Sequence, residues 1–246
     1  MSNADLLRFV LTSTVALIAF YAFLDRNYEN VFTCILTLIL FSVPVLAKSK
    51  FKVDLPSTLE IIILLFIFAA QILGEIRSYY TLLPFWDTML HTANGFLAAA
   101  VGFSLVDLLN KDDTYSIQLS PFFLVLTALC FSMTIGVLWE IFEFSMDYFF
   151  ATDMQKDSVV THINSVIFDP NNLNNVVKQP LHSVVINGED WIEMYGGYID
   201  IGLIDTMEDL LVNLVGAIVF SVIAYISLIG KAKGKFVKRF IPVAKN

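Results

Sequence analysis

The chain has 246 residues and a formal net charge of −8, with 57% hydrophobic and 15% charged residues. An ordinary globular domain carries about 25% charged residues, so this composition excludes a soluble protein built around one core. It predicts an integral membrane protein.

Six apolar runs are each long enough to cross a bilayer as a helix, which takes about 20 residues. They cover approximately 6–24, 31–47, 58–76, 88–109, 120–147 and 205–229. The first run lacks a small-residue cleavage site after a short apolar core, so it is predicted to be a retained helix. The predicted fold is an all-α polytopic membrane protein, a six-transmembrane-helix bundle. Residues 1–147 hold helices one to five, 205–230 helix six, and 231–246 a basic tail.

Residues 148–204, named the cap, form one long polar connection between helices five and six. A structureless loop of this length would be unusual in a compact protein. Residues 159–167 and 182–186 alternate like strands, and Asn187 with Gly188 signals a hairpin turn before 191–195. Residues 171–175, after Pro170, predict an irregular turn. The sequence therefore predicts a small β-containing extracytoplasmic cap.

Lysine and arginine are divided unevenly between the two sides of the predicted bundle. Eleven of the fifteen fall on the side of the termini, and positively charged loops stay cytoplasmic. The prediction is a multi-pass protein of the cell membrane with both termini in the cytoplasm. Seventeen of the 23 acidic residues fall on the outer side, where they should concentrate cations.

The first polar motif, residues 86–95, opens helix four. Asp87 and His91 are one helical turn apart, and Asn94 follows three residues later. Capping of the helix by Asp87 is the alternative interpretation for that residue. His91 lies further into the membrane, where ionisable groups are costly and tend to mark function.

The second motif closes helix five, where Glu140, Glu143 and Asp147 share one helix face. Their mutual repulsion would be relieved by a cation or by raised pKa values. The alternative is an acidic helix end that is simply solvated.

The third motif opens helix six, where Asp205, Asp209 and Asn213 recur at every fourth position. Asp205 and Glu208 also match a capping box, which explains those two residues but not Asp209 or Asn213. Gly216 follows as a small residue suited to close helix packing.

By this topology all three motifs lie in the outer half of the bundle. Carboxylates, an imidazole and an amide at one level suit a divalent metal, and zinc, manganese and magnesium are all compatible. The predicted metal ligands are His91, Glu140, Glu143, Asp147, Asp205, Asp209 and Asn213. The predicted catalytic residues are His91, Glu140, Glu143 and Asp209. The same groups would also serve as general acid and base without a metal.

Several classes of site find no support in the sequence. Cys34 and Cys130 stand alone inside apolar runs, which argues against a disulfide framework or a thiolate zinc site. No P-loop, HExxH, Gly-x-Ser-x-Gly or zinc-finger spacing is present. Nucleic acid is not an expected partner of this acidic membrane chain.

Together the motifs resemble a known family. The residues concerned are Trp86-Asp-x-x-x-His91, Trp139-Glu-x-Phe-Glu143 with Asp147, and Asp205-Thr-x-x-Asp209-x-x-x-Asn213-x-x-Gly-Ala217. They resemble the YjdF-type bacterial inner-membrane proteins, and the last is also similar to the final-helix motif of VanZ-like proteins. The resemblance implies a polytopic bacterial or archaeal membrane protein. VanZ-like proteins are associated with glycopeptide resistance at the envelope, whereas the YjdF-type group has no settled activity.

The leading functional hypothesis is a metal-assisted hydrolase or transferase acting at the outer face on a lipid-linked or envelope substrate. The alternatives are a non-catalytic cation-binding or sensor protein and a cation transporter. The lipid bilayer is the expected partner, with a lipid-linked small molecule as the substrate.

Overall fold

The structure is a computed structural model that describes residues 2–50, 53–54, 56–110, 119–230 and 243–244. Residues 111–118, between the runs predicted as helices four and five, and nearly all of the predicted basic tail lie outside these residues.

Helices make up most of the described chain. They are α1 (Asn3–Leu24), α2 (Tyr28–Lys50), α3 (Ser57–Phe68), α4 (Tyr79–Leu82), α5 (Trp86–Asn110), α6 (Pro121–Phe150), α7 (Trp191–Tyr195) and α8 (Leu203–Ile229). A π-helical segment, Ala69–Ile76, continues α3 without a break. Within the described residues, six helical spans are long and apolar enough to cross a membrane. The predicted fold class is thus confirmed, with helix ends that differ from prediction by a few residues.

The chain divides into two compact units, residues 1–137 with 209–246, and residues 138–208. In the first unit one buried cluster joins α3, α5, α6 and α8 through residues such as Leu59, Phe103, Ala128 and Phe220. A second cluster joins α1, α2 and α3. Hydrophobicity alone does not drive such contacts in lipid, so close packing and hydrogen bonding must hold these helices together.

Small residues bring α5 and α8 close together. A Cβ built on Gly216 would lie 2.0 Å from the carbonyl oxygen of Thr92, which confirms the packing role predicted for this glycine. Without a Cβ at this position the two backbones approach directly.

A buried ion pair joins α1 to α3. The Arg8 guanidinium contacts the Glu60 carboxylate, whose side chain is 1% exposed. Charges inside a membrane protein are tolerated when they are paired in this way. The hydroxyl groups of Thr37 and Ser104 donate hydrogen bonds to backbone carbonyls one turn earlier in their own helices. These buried hydroxyl groups therefore need no partner on another helix.

The strands form four antiparallel pairs. Outside the cap, β1 (Val53–Asp54) pairs with β8 (Val243–Ala244). In the cap, β2 (Val159–Val160) pairs with β7 (Tyr198–Ile199), β3 (His162–Ser165) with β4 (Val177–Pro180), and β5 (Val185–Ile186) with β6 (Glu189–Asp190). The predicted strand-containing region between helices five and six is therefore confirmed.

The predicted local structure of the cap is only partly correct. Asn187 and Gly188, with φ of 54° and 90°, form the turn between β5 and β6 as predicted. The strand predicted at 182–186 is wrong in its first half. Ser183 and Val184 donate hydrogen bonds to the Asp190 carboxylate instead of pairing in a strand. The segment 159–167 holds β2 and β3 but then turns into a 3₁₀ helix, Val166–Phe168.

Candidate metal centre

The first two ligand candidates lie in the opening turns of α5. Trp86 begins this helix, so Asp87 is in its first turn and His91 follows one turn later. The His91 Nε2 and Asp87 Oδ1 atoms are 3.5 Å apart. The spacing of four residues places both side chains on one helix face, as the sequence predicted.

The third candidate comes from α8. Asp209 Oδ2 lies 3.5 Å from the same His91 Nε2 atom. Ligand atoms of Asp87, His91 and Asp209 all lie within 4.8 Å of one another, and these three residues are named the triad. Their side chains are 28%, 11% and 5% exposed, respectively. The triad is thus largely buried, and Asp87 is its most accessible member.

The triad has the ligand types and spacing of a single metal site. Two ligands on a tetrahedral ion with bonds near 2.1 Å lie about 3.4 Å apart, close to both nitrogen–oxygen distances. A direct N–H···O hydrogen bond would normally be shorter, at about 2.7–3.2 Å. One imidazole and two carboxylates suit zinc or manganese. Without a metal, the same residues form a histidine that two carboxylates orient for acid–base chemistry.

A chain of polar contacts lies one turn further along both helices. Asn94 Nδ2 donates to Asn213 Oδ1 at 3.0 Å, and Asn213 is 1% exposed. The Asn213 amide nitrogen lies 3.5 Å from the carbonyl oxygen of Ser132, and Ser132 Oγ donates to the Gly95 carbonyl at 2.8 Å. These contacts join α5, α6 and α8. Both the oxygen and the nitrogen of the Asn213 side-chain amide therefore have protein partners. The role of Asn213 as a metal ligand stays a prediction.

Ser132 was not among the residues singled out from the sequence. It stands within an apolar run with no polar neighbour at helical spacing, so no pattern in the sequence marks it. Its partner is a backbone carbonyl on another helix, and such acceptors leave no trace in residue types.

The other acids predicted as metal ligands, Glu140, Glu143, Asp147 and Asp205, belong to the second unit. Several of these carboxylates accept hydrogen bonds within that unit. Glu143 Oε1 accepts from the Trp139 indole at 2.9 Å, and Glu140 is 5% exposed. Asp147 accepts from Thr152 Oγ1 and from the N–H groups of Met154 and Gln155. The participation of these carboxylates in one site with His91 stays a prediction.

Helix capping does not account for Asp205. The last helix begins at Leu203, so Asp205 is its third residue and does not precede the helix as a capping residue would. Asp200 accepts from the free N–H of Ile204, while Asp205 accepts from the N–H of Lys156. Asp205 therefore stabilises the loop that follows α6. Its role as a metal ligand stays a prediction.

A family model described as a predicted membrane protein, DUF2238, matches residues 6–229. The match covers the cap, every member of the triad and, except for the first three residues of α1, all six candidate spans. No curated protein and no solved structure matches the chain significantly. The more specific likeness to YjdF-type and VanZ-like proteins is not confirmed by these comparisons.

Proposed function

The chain belongs to the DUF2238 family of predicted membrane proteins, and on that premise we propose that Asp87, His91 and Asp209 bind one zinc or manganese ion. The bound ion activates water or a substrate oxygen for hydrolysis or group transfer. The substrate is a lipid-linked molecule of the cell envelope, reached from the outer face.

The observation that carries this proposal is the shared nitrogen of the triad. Asp87 Oδ1 and Asp209 Oδ2 each lie 3.5 Å from His91 Nε2. A ring nitrogen carries at most one proton and cannot make a well-aligned hydrogen bond to both carboxylates. A cation between the three atoms would contact all of them at ordinary bond lengths.

Three protein ligands leave a coordination position for water or substrate, which is the pattern of catalytic zinc sites. A metal in that state lowers the pKa of its bound water and polarises a carbonyl or phosphoryl oxygen. The burial of His91 and Asp209 supports this role, because a partly dehydrated site strengthens the field of an ion. A structural site would more often be closed by a fourth protein ligand.

The depth of the triad supports a substrate at the membrane boundary. His91 lies five residues after the start of α5, or about 7.5 Å along the helix axis. Asp209 lies six residues after the start of α8, or about 9 Å. The distribution of lysine and arginine favours the outer face as the side on which both helices begin.

Metal analysis of the purified full-length chain tests the ligand set. We expect about one zinc or manganese ion per chain, and at least a ten-fold loss of affinity in His91→Ala and in Asp209→Asn. His182→Ala and Asp153→Asn are matched controls, because both residues are exposed positions of the cap. A wild-type chain that binds neither ion, or variants that bind like the controls, would overturn the proposal.

The extended ligand set requires separate variants. Glu140→Gln, Glu143→Gln, Asp147→Asn and Asp205→Asn each keep the side-chain shape and remove its charge. A ten- to hundred-fold loss of affinity is typical when a group that supports a metal ligand is removed. A loss of that size would place the residue with the triad. Unchanged affinity would limit the site to the triad.

Turnover distinguishes the enzyme from the cation-binding alternative. The metal-loaded chain in lipid nanodiscs would be incubated with lipid monophosphates, lipid diphosphates and lipid-linked envelope precursors. Metal-dependent product release that Asp209→Asn abolishes supports the enzyme. Bound metal that raises the unfolding temperature, with no product from any of these substrates, supports a non-catalytic cation-binding or sensor protein instead.

A further inference from the structure

The tip of the hairpin formed by β3 and β4 exposes several large apolar side chains within a short stretch of chain. Residues 166–176 connect the two strands and include five large apolar residues. Their exposed fractions are 41% for Val166, 86% for Ile167, 39% for Phe168, 70% for Leu173 and 69% for Val176. Concentrated exposure of this kind marks a surface that contacts a partner or a membrane.

The same loop satisfies much of its own backbone. Asp169 is 5% exposed, and its Oδ1 accepts from the N–H of Asn171 at 3.0 Å. Its Oδ2 accepts from the N–H groups of Leu173 and Asn175 at 2.9 and 3.0 Å. Three backbone donors at the tip therefore need no water. This matters for a membrane contact, because unsatisfied backbone groups oppose entry into the apolar phase.

Charge separates this hairpin from the rest of the cap. Residues 161–182 hold one acid, Asp169, and one base, Lys178. The remaining residues from 148 to 204 hold six acids and one lysine. The hairpin can thus approach a bilayer without the repulsion from anionic headgroups that the rest of the cap would meet.

We propose that the hairpin tip, residues 166–176, inserts into the headgroup and acyl boundary of the leaflet on the cap's side. The cap is continuous at both ends with membrane-spanning helices, α6 and α8, so the bilayer is always within reach at high effective concentration. Apolar residues at the tip enter the boundary region, as in other interfacial segments. The Asp169 hydrogen bonds keep the loop compact as it enters.

Spin labelling of the full-length chain in lipid nanodiscs tests the depth of the tip. A nitroxide is attached through Ile167→Cys in a Cys34→Ala, Cys130→Ser background, and a control nitroxide through Val185→Cys, a position 65% exposed on another hairpin. The label at 167 should collide mainly with dissolved oxygen, and the label at 185 with a water-soluble nickel chelate. Equal nickel accessibility at both positions would overturn the proposal. Shielding of the label at 167 from both reagents would also overturn it, because that result indicates cover by protein.

Hydroxyl-radical labelling of the unmodified chain gives a second measurement that needs no cysteine background. In nanodiscs, Ile167 and Leu173 should be oxidised several-fold more slowly than their solvent exposure predicts, relative to Val185. Oxidation in proportion to exposure at all three positions would show that the tip stays in water.

Discussion

Gly95 lies directly against the main chain of Asn213: a Cβ built on Gly95 would be 1.9 Å from the Asn213 carbonyl oxygen. The obstacle is the backbone of a neighbouring helix, so no rotation of a side chain can remove it. Gly95 is four residues after His91, and Asn213 is four residues after Asp209. A close approach of α5 and α8 thus lies one turn from the triad and limits the spacing of its two helices.

Gly95→Ala is expected to force α5 and α8 apart. Overpacking a well-packed site costs typically 1–3 kcal/mol, and a backbone obstacle favours the upper part of that range. The change should also weaken metal binding, because His91 is on α5 and Asp209 is on α8, so that moving these helices apart separates the two ligands. Thermal unfolding and metal titration measure the two effects. Leu211→Ala, at a position on α8 that is 58% exposed, is the control and should change neither greatly.

The hydrogen bond between Asn94 and Asn213 should contribute modestly to stability. Interhelical hydrogen bonds in membrane proteins average about 0.6 kcal/mol, with a maximum near 1.7 kcal/mol. A double-mutant cycle with Asn94→Ala and Asn213→Ala, read by reversible unfolding in detergent, should return a coupling energy in that range. Strictly additive effects would show that the contact contributes nothing measurable.

Hydropathy was sufficient to predict the six spans, because lipid requires about 20 apolar residues and satisfied backbone groups in each one. The π-helical segment, Ala69–Ile76, had no such signal. A π turn differs from an α turn by one residue of hydrogen-bond register, and residue types barely encode that difference.

The triad was predictable in part. The spacing of Asp87 and His91 follows from the helix period, and the parallel direction of helices four and six places Asp209 at a similar depth. The sequence did not distinguish this carboxylate from Asp205 or Asp147. Those two residues accept backbone N–H groups of the loop that begins after Phe150, and backbone donors are invisible in a sequence.

Gly188→Ala should destabilise the turn between β5 and β6. Gly188 has φ of 90°, and nothing lies within 4 Å of its added Cβ, so backbone strain is the whole effect. A left-handed conformation costs an ordinary residue about 1–2 kcal/mol. Hydrogen exchange at Ile186, Glu189 and Trp191 should become faster, while β3 and β4 keep their protection. Unchanged exchange at the first three residues would contradict this account.

The hairpin tip should be sensitive to acid through Asp169. The N–H groups of Asn175 and Asn171, and then that of Leu173, lower the pKa of this carboxylate. A lowered folded-state pKa contributes stability that is present above the ordinary value of about 3.9 and is lost as pH falls through the lower folded value.

The test is hydrogen exchange at Asn171, Leu173 and Asn175, corrected for the intrinsic rate at each pH. Protection should persist at neutral pH and fall below about pH 4. Asp169→Ala should remove it at every pH. Asp153→Ala, at an exposed acid of the same cap, should leave it intact, and equal protection in both variants would refute the role of Asp169.

The ion pair between Arg8 and Glu60 also has a consequence for biogenesis. The two residues are 52 positions apart, so the ribosome completes the first two spans before the acid that pairs with Arg8 has been made. Until then the guanidinium must find water or lipid headgroups, because an unpaired charge in hydrocarbon is costly. We therefore expect the contact between α1 and α3 to form only after the third helix has been synthesised, so that the packing of these two helices is completed late.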